Sequence, residues 1–147
     1  MSQIHVLTEA QIPAPVDVVH RALQDYATIR PRILTDEYRD YRVLEGGEGD
    51  GTVAAWTLQA TKKRSRDVIA DVDVTSHGDV VERDRNSTLV TTWKAEALTD
   101  RTSTVRIETT WQGAGGVGGF FERTFAPNGL RAIQSRVLAK LADELQD

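Results

Sequence analysis

Period-two alternation limits what this chain can fold into more than any other feature. In SRDVIADVDVT, Val68, Ala70, Val72 and Val74 share one face, and Asp67, Asp71 and Asp73 share the other. TLVTTWKAEAL sets Leu89, Thr91, Trp93 and Ala95 against Thr92, Lys94 and Glu96. STVRIETTWQ sets Val105, Ile107, Thr109 and Trp111 against Arg106, Glu108, Thr110 and Gln112. Unbroken alternation predicts strands with one wet and one covered face, as in an antiparallel meander. Shorter strands are predicted in DYRVLEGG, GTVAAWTLQA and VVERD, with turns at SHGD, RNST and LTDRTS. Residues 39–112 therefore read as β throughout. QIHVLTEAQI adds a strand at the start, with Ile4, Val6, Thr8, Ala10 and Ile12 on one face.

Two segments read as helix. PAPVDVVHRALQDYATI places Val19, Ala22, Leu23 and Tyr26 at three- and four-residue spacing, with Pro15 suited to a first turn. Pro31 interrupts it, so a second short helix or loop is expected over 27–38. LRAIQSRVLAKLADEL carries Leu130, Ile133, Val137, Leu138, Leu141 and Leu145 along one stripe, and Pro127 should kink or restart it. The order is strand, helix, about six antiparallel strands, long helix. That is an α+β arrangement in which the last helix covers the apolar face of the sheet. A length of 147 residues suits a single domain spanning 1–147.

Composition excludes several chemistries. The absence of cysteine removes disulfides, thiolate zinc sites and cysteine nucleophiles. A net charge of −4 argues against a nucleic-acid partner. No stretch approaches the ~20 apolar residues that cross a bilayer, and the N-terminus has no basic leader with an apolar run. The expectation is a soluble cytoplasmic protein. His5, His20 and His77 have no ligand-like spacing, so no metal is expected. His20 reads as a surface or boundary residue. Asp67, Asp71 and Asp73 read as a solvated face, and Asn86-Ser87-Thr88 as turn chemistry. The basic cluster Lys62, Lys63, Arg64 and Arg66 reads as a hairpin tip. Arg66, however, shares parity with Val68, so it could face inward toward a ligand or a carboxylate partner.

Gly113-Ala114-Gly115-Gly116-Val117-Gly118 fits the spacing G-x-G-x-x-G. A dinucleotide fingerprint needs a second parallel strand beyond its helix. The chain ends at residue 147 and reads as helical to that point, so no phosphate or nucleotide cofactor is expected here. The glycines instead turn the last strand into the last helix.

The covered face would carry Trp56, Trp93 and Trp111 with Thr8, Thr91 and Thr109. Bulky indoles beside small residues and hydroxyls fit either an ordinary core or a partly polar ligand pocket.

Several phrases together resemble the SRPBCC superfamily, which is START-like and has the helix-grip fold of the birch-pollen allergen. The similarity is to its polyketide cyclase/dehydrase-like bacterial branch. It rests on IPAPVDVVHRAL, VLEGGEGDGTVAAW, LVTTW, TTWQGAGGVGGFFERTFAPNGL and the final helix. The resemblance implies a curved antiparallel sheet of about seven strands gripping the C-terminal helix, with one or two short helices after the first strand. It also implies a cavity between sheet and helix that holds a lipid-like or polyketide-like hydrophobic molecule. The expected lining is Trp56, Trp93, Trp111, Thr91, Thr109, Phe121 and Phe125, with Arg66 orienting the ligand. Members that are aromatase/cyclases orient a polyketone with pocket arginine, tyrosine and hydroxyl groups, for which Arg66, Tyr26 and Thr91 are the candidates here. Other members are co-chaperone or toxin-like interaction modules. The expectation is thus a hydrophobic-ligand binder, a cyclase or dehydratase, or an interaction module, as a monomer or homodimer. No catalytic residue is assigned.

Overall fold

A computed structural model describes residues 3–61, 64–112 and 127–146. Its elements, in chain order, are β1 (Gln3–Ile12), α1 (Val16–Gln24), α2 (Ile29–Ile33), β2 (Tyr38–Glu45), β3 (Val53–Thr61), β4 (Arg64–Val74), β5 (Val80–Asp84), β6 (Val90–Ala97), β7 (Ser103–Gln112) and α3 (Pro127–Leu145). The strands make one seven-stranded sheet in the order β1-β7-β6-β5-β4-β3-β2. Every pairing is antiparallel. Strands β2 to β7 form a meander, and β1 returns to pair with β7. The sheet curves around α3, which packs chiefly against β1 and α2. This is the helix-grip arrangement.

Burial follows the alternation. Along β7 every second residue is buried, from Ser103 through Trp111. The outward carboxylates meet basic partners, with Asp71 on Arg85 at 2.7 Å, Glu9 on Arg106 at 2.9 Å and Glu108 on Lys94 at 3.3 Å. On α3 the buried stripe is Leu130, Ile133, Gln134, Val137, Leu138 and Leu141. Gln134 is the polar exception within it.

The first helix is shorter than its sequence pattern. It stops at Gln24, because Tyr26 and Ala27 turn their N–H groups to the Gly47 carbonyl, at 2.9 and 3.0 Å. The carboxyl of Asp25 accepts from Thr28 N at 2.8 Å, which fixes the turn into α2. Gly47 sits at φ 139°, open to glycine and strained for other residues. A Cβ there would lie 3.5 Å from Ala27 Cβ. The glycine turn after β2 therefore ends α1 and aims α2 at the interior.

Candidate functional site

Helix α2 is one turn long and buries two side chains, Ile33 and Arg30. They lie three residues apart, on one face of the turn. Arg30 is only 2% exposed. Its Nη1 donates to Glu82 Oε2 at 2.6 Å, and its Nη2 donates to the Leu23 carbonyl at 2.9 Å. The guanidinium lies 4.1 Å from the Tyr26 ring centroid and 4.4 Å from that of Trp93. Both rings hold the cation by cation–π attraction, which gains strength away from water.

Glu82 comes from β5, whose Val80, Glu82 and Asp84 are all buried. The Tyr26 hydroxyl donates to the same Oε2 at 2.5 Å. A phenol O–H and a guanidinium N–H thus converge on one carboxyl oxygen. Burial opposes the charge on Arg30, but Tyr26 and Glu82 outweigh it and raise its pKa above the ordinary value. Burial pushes the Tyr26 and Tyr38 phenols up, so both stay neutral.

Register extends this cluster across the sheet. Glu82 pairs with Thr91, and Thr91 pairs with Thr109. The Thr91 and Thr109 hydroxyls are 3.4 Å apart. Gln134 reaches down from α3, donating from Nε2 to Thr109 Oγ1 at 2.8 Å and accepting from the Thr8 hydroxyl at 3.0 Å. A polar seam thus runs from α2 across β5, β6 and β7 to α3.

The seam borders an internal cavity of about 40 Å³. Apolar walls come from Leu34, Leu58, Leu89, Ile107, Leu130 and Val137; polar ones come from Arg30, Glu82, Thr91, Thr109, Gln134 and Tyr38. This is room for water-sized occupants, well below the ~300 Å³ of a drug-sized pocket. Two lining residues carry buried donors, Arg30 Nε and Trp93 Nε1, that have no hydrogen-bond partner among the described residues. An unpaired buried N–H costs free energy that a ligand acceptor would recover.

Of the residues singled out in the sequence, Thr91, Trp93 and Thr109 line this cavity together. Tyr26 lies behind it, buried against Arg30 and Glu82. Trp56 is buried beside Tyr38 and Tyr41, with ring centroids 6.2 Å away in each case. Trp111 is buried further along β7, opposite Ile4 of β1. Arg66 is not brought to the cavity. It lies toward the start of β4, and its Nη2 donates to the Asn86 carbonyl at 2.6 Å in the turn after β5. Phe121, Phe125 and the glycines of 113–118 lie outside the described residues. Thr109 and Leu130, each a few residues from the ends of 113–126, both border the cavity.

Sequence reading missed Arg30, Glu82, Tyr38 and Gln134. The strand VVERD did carry a signal, since Glu82 shares parity with Val80. His20 bonds the Ala95 carbonyl at 3.2 Å, a packing role at the sheet boundary. Among the described residues no group of three or more His, Cys, Asp or Glu could hold a metal. No described helix is long and apolar enough to cross a membrane.

The family model "Polyketide cyclase / dehydrase and lipid transport" matches residues 3–146. The chain belongs to this family. It is thereby an SRPBCC domain, as its helix-grip fold requires. The KanY protein, solved in solution by NMR, is 50% identical with a TM-score of 0.90, and each chain is covered completely at 100%. The protein TTHA0849 from Thermus thermophilus has the same fold at 16% identity and TM-score 0.76, covering 97% of both chains. The ZhuI aromatase/cyclase from Streptomyces sp. R1128 matches at 16% identity and TM-score 0.69, over 95% of this chain and 94% of that one. No curated protein sequence matches. The polar seam lies on the sheet side of α3, beneath α2.

Proposed function

We propose that this chain binds a small hydrophobic or aromatic molecule between the sheet and α3, with an acceptor atom of the ligand at Arg30 and Trp93. One observation carries the reading. Arg30 and Trp93 line a cavity of mixed apolar and polar walls, and each carries a buried donor, Nε and Nε1, without a partner among the described residues. Apolar burial at ~25 cal/mol per Å² supplies affinity, and the two donors supply orientation. A ligand larger than a few waters displaces wall side chains such as Leu34, Leu89 and Leu130. Titrating tryptophan emission and backbone amide shifts with lipids and small aromatics tests the reading. Shifts clustered at Thr91, Trp93, Thr109 and Gln134 are expected. Silence across the panel would remove it.

A second reading is a cyclase or dehydratase, as in the similar aromatase/cyclase. Glu82 favours it. Both of its donors converge on Oε2, and Oε1 accepts no hydrogen bond among the described residues. That oxygen could take a proton from carbon beside a ketone, while Arg30 and Trp93 hold the developing enolate oxygen. The interaction-module reading has less support. Among the described residues the exposed large apolar side chains, Leu7, Leu44 and Leu98, come from separate places in the fold, two of them from opposite edges of the sheet.

A further inference from the structure

The guanidinium of Arg30 is almost fully committed. Both terminal nitrogens have partners, and the Tyr26 and Trp93 rings pack against the group. An end-on grip on a carboxylate through Nη1 and Nη2 would therefore compete with Glu82 and the Leu23 carbonyl. Of the three guanidinium nitrogens only Nε has no hydrogen-bond partner among the described residues, and Arg30 lines the cavity. Its positive charge is already matched by Glu82 at 2.6 Å, with the pair 2% and 7% exposed. The other polar lining groups, Tyr38, Thr91, Thr109, Gln134 and the Trp93 indole, are neutral. The wall thus offers N–H donors with no net charge.

A neutral oxygen acceptor can meet Nε–H and Nε1–H there. A carboxylate would bring an unmatched negative charge into a buried cavity beside Glu82, and a buried charge without a partner is costly. A free arginine in the same place would give the opposite preference.

We infer that Glu82 sets the charge selectivity of the cavity: the site takes ligands bearing a neutral carbonyl or ether oxygen and rejects carboxylates. This rests on the reading that the cavity is the ligand site. It adds the ligand class and the residue that selects it.

Three probes of one ring size test it: acetophenone, benzoate and ethylbenzene, at neutral pH, followed by amide shifts of cavity residues. On the wild-type chain acetophenone should bind tightest and benzoate at least roughly tenfold more weakly than acetophenone. Glu82→Gln keeps the side-chain shape and removes the charge. It should improve benzoate binding about tenfold and change acetophenone binding by less than about threefold. Tyr26→Phe removes a hydrogen bond to Glu82 but leaves its charge, so the wild-type order should persist. Benzoate binding as tightly as acetophenone in the wild type would overturn the inference and leave the ligand-site reading intact. So would a folded Glu82→Gln chain with an unchanged ratio, or a Tyr26→Phe chain that shifts as far as Glu82→Gln. If Glu82→Gln does not fold, the wild-type order and Tyr26→Phe decide. If none of the three probes binds, the ligand-site reading falls and takes the inference with it.

Discussion

Two arginine–carboxylate pairs in this molecule have nearly the same length and opposite surroundings. Arg30–Glu82 spans 2.6 Å with its side chains 2% and 7% exposed. Arg85–Asp71 spans 2.7 Å on the outer face, at 48% and 45% exposed. The outer pair is bidentate, with Arg85 Nε and Nη2 each donating to one oxygen of Asp71. By hydrogen-bond count it is the better-made pair. Water and salt around it nevertheless screen most of its attraction. The inner pair is shielded from bulk solvent, so its partners depend more on each other and on the Tyr26 and Trp93 rings. Burial, more than distance, decides what an ion pair does. In the core it fixes α2 against β5 and sets the polarity of a cavity; on the surface it decorates a strand.

The largest expected effect is at Glu82. Glu82→Ala strands Arg30 and should cost about 3–5 kcal/mol, read from denaturant unfolding. The double replacement Arg30→Met with Glu82→Leu removes both charges and should recover much of that loss while abolishing preference among oxygenated ligands. A Glu82→Ala chain as stable as wild type would end the distinction between the pairs.

An intermediate effect belongs to Gln134, which ties α3 to Thr8 and Thr109. Gln134→Leu leaves two buried hydroxyls short of partners and should cost about 1–3 kcal/mol. A neutral result would mean that Thr8 and Thr109 find other partners.

The smallest effect is at Asp71. Asp71→Asn should leave the unfolding midpoint near wild type, and any loss should fade in high salt. The hydrogen bonds and charge of Arg85 hold the Asp71 carboxyl below the usual aspartate range. The pair's contribution is therefore present above the ordinary aspartate pKa and disappears as pH falls through the lower, folded value. A large salt-independent loss would show that exposure does not separate the two pairs.

Much of the scaffold was legible in the chain. Alternation placed Thr91, Trp93 and Thr109 on the covered face of adjacent strands, and the three border one cavity. The stripe on α3 was legible too, apart from Gln134, because leucines at helical spacing drew attention from the polar residue among them. Arg66 shows what parity leaves open. It pairs with the buried Leu58, as its spacing predicts, yet its Nη2 reaches the Asn86 carbonyl and it does not line the cavity. Arg30 and Glu82 went unread for a related reason. Each looked like one charged residue in a short, mixed segment, and their partnership crosses 52 positions.

The sequence by itself determined which residues face the core along β1, β4, β6 and β7 and along α3, because period 2 and period 3.6 are local properties of the backbone. Only the tertiary structure decided which polar residues meet. The Gly47 turn ends α1 early and directs α2 inward, and the pairing of β5 with β6 sets Glu82 beside Thr91. Those encounters depend on register and on the return of distant segments, and local periodicity carries no record of either.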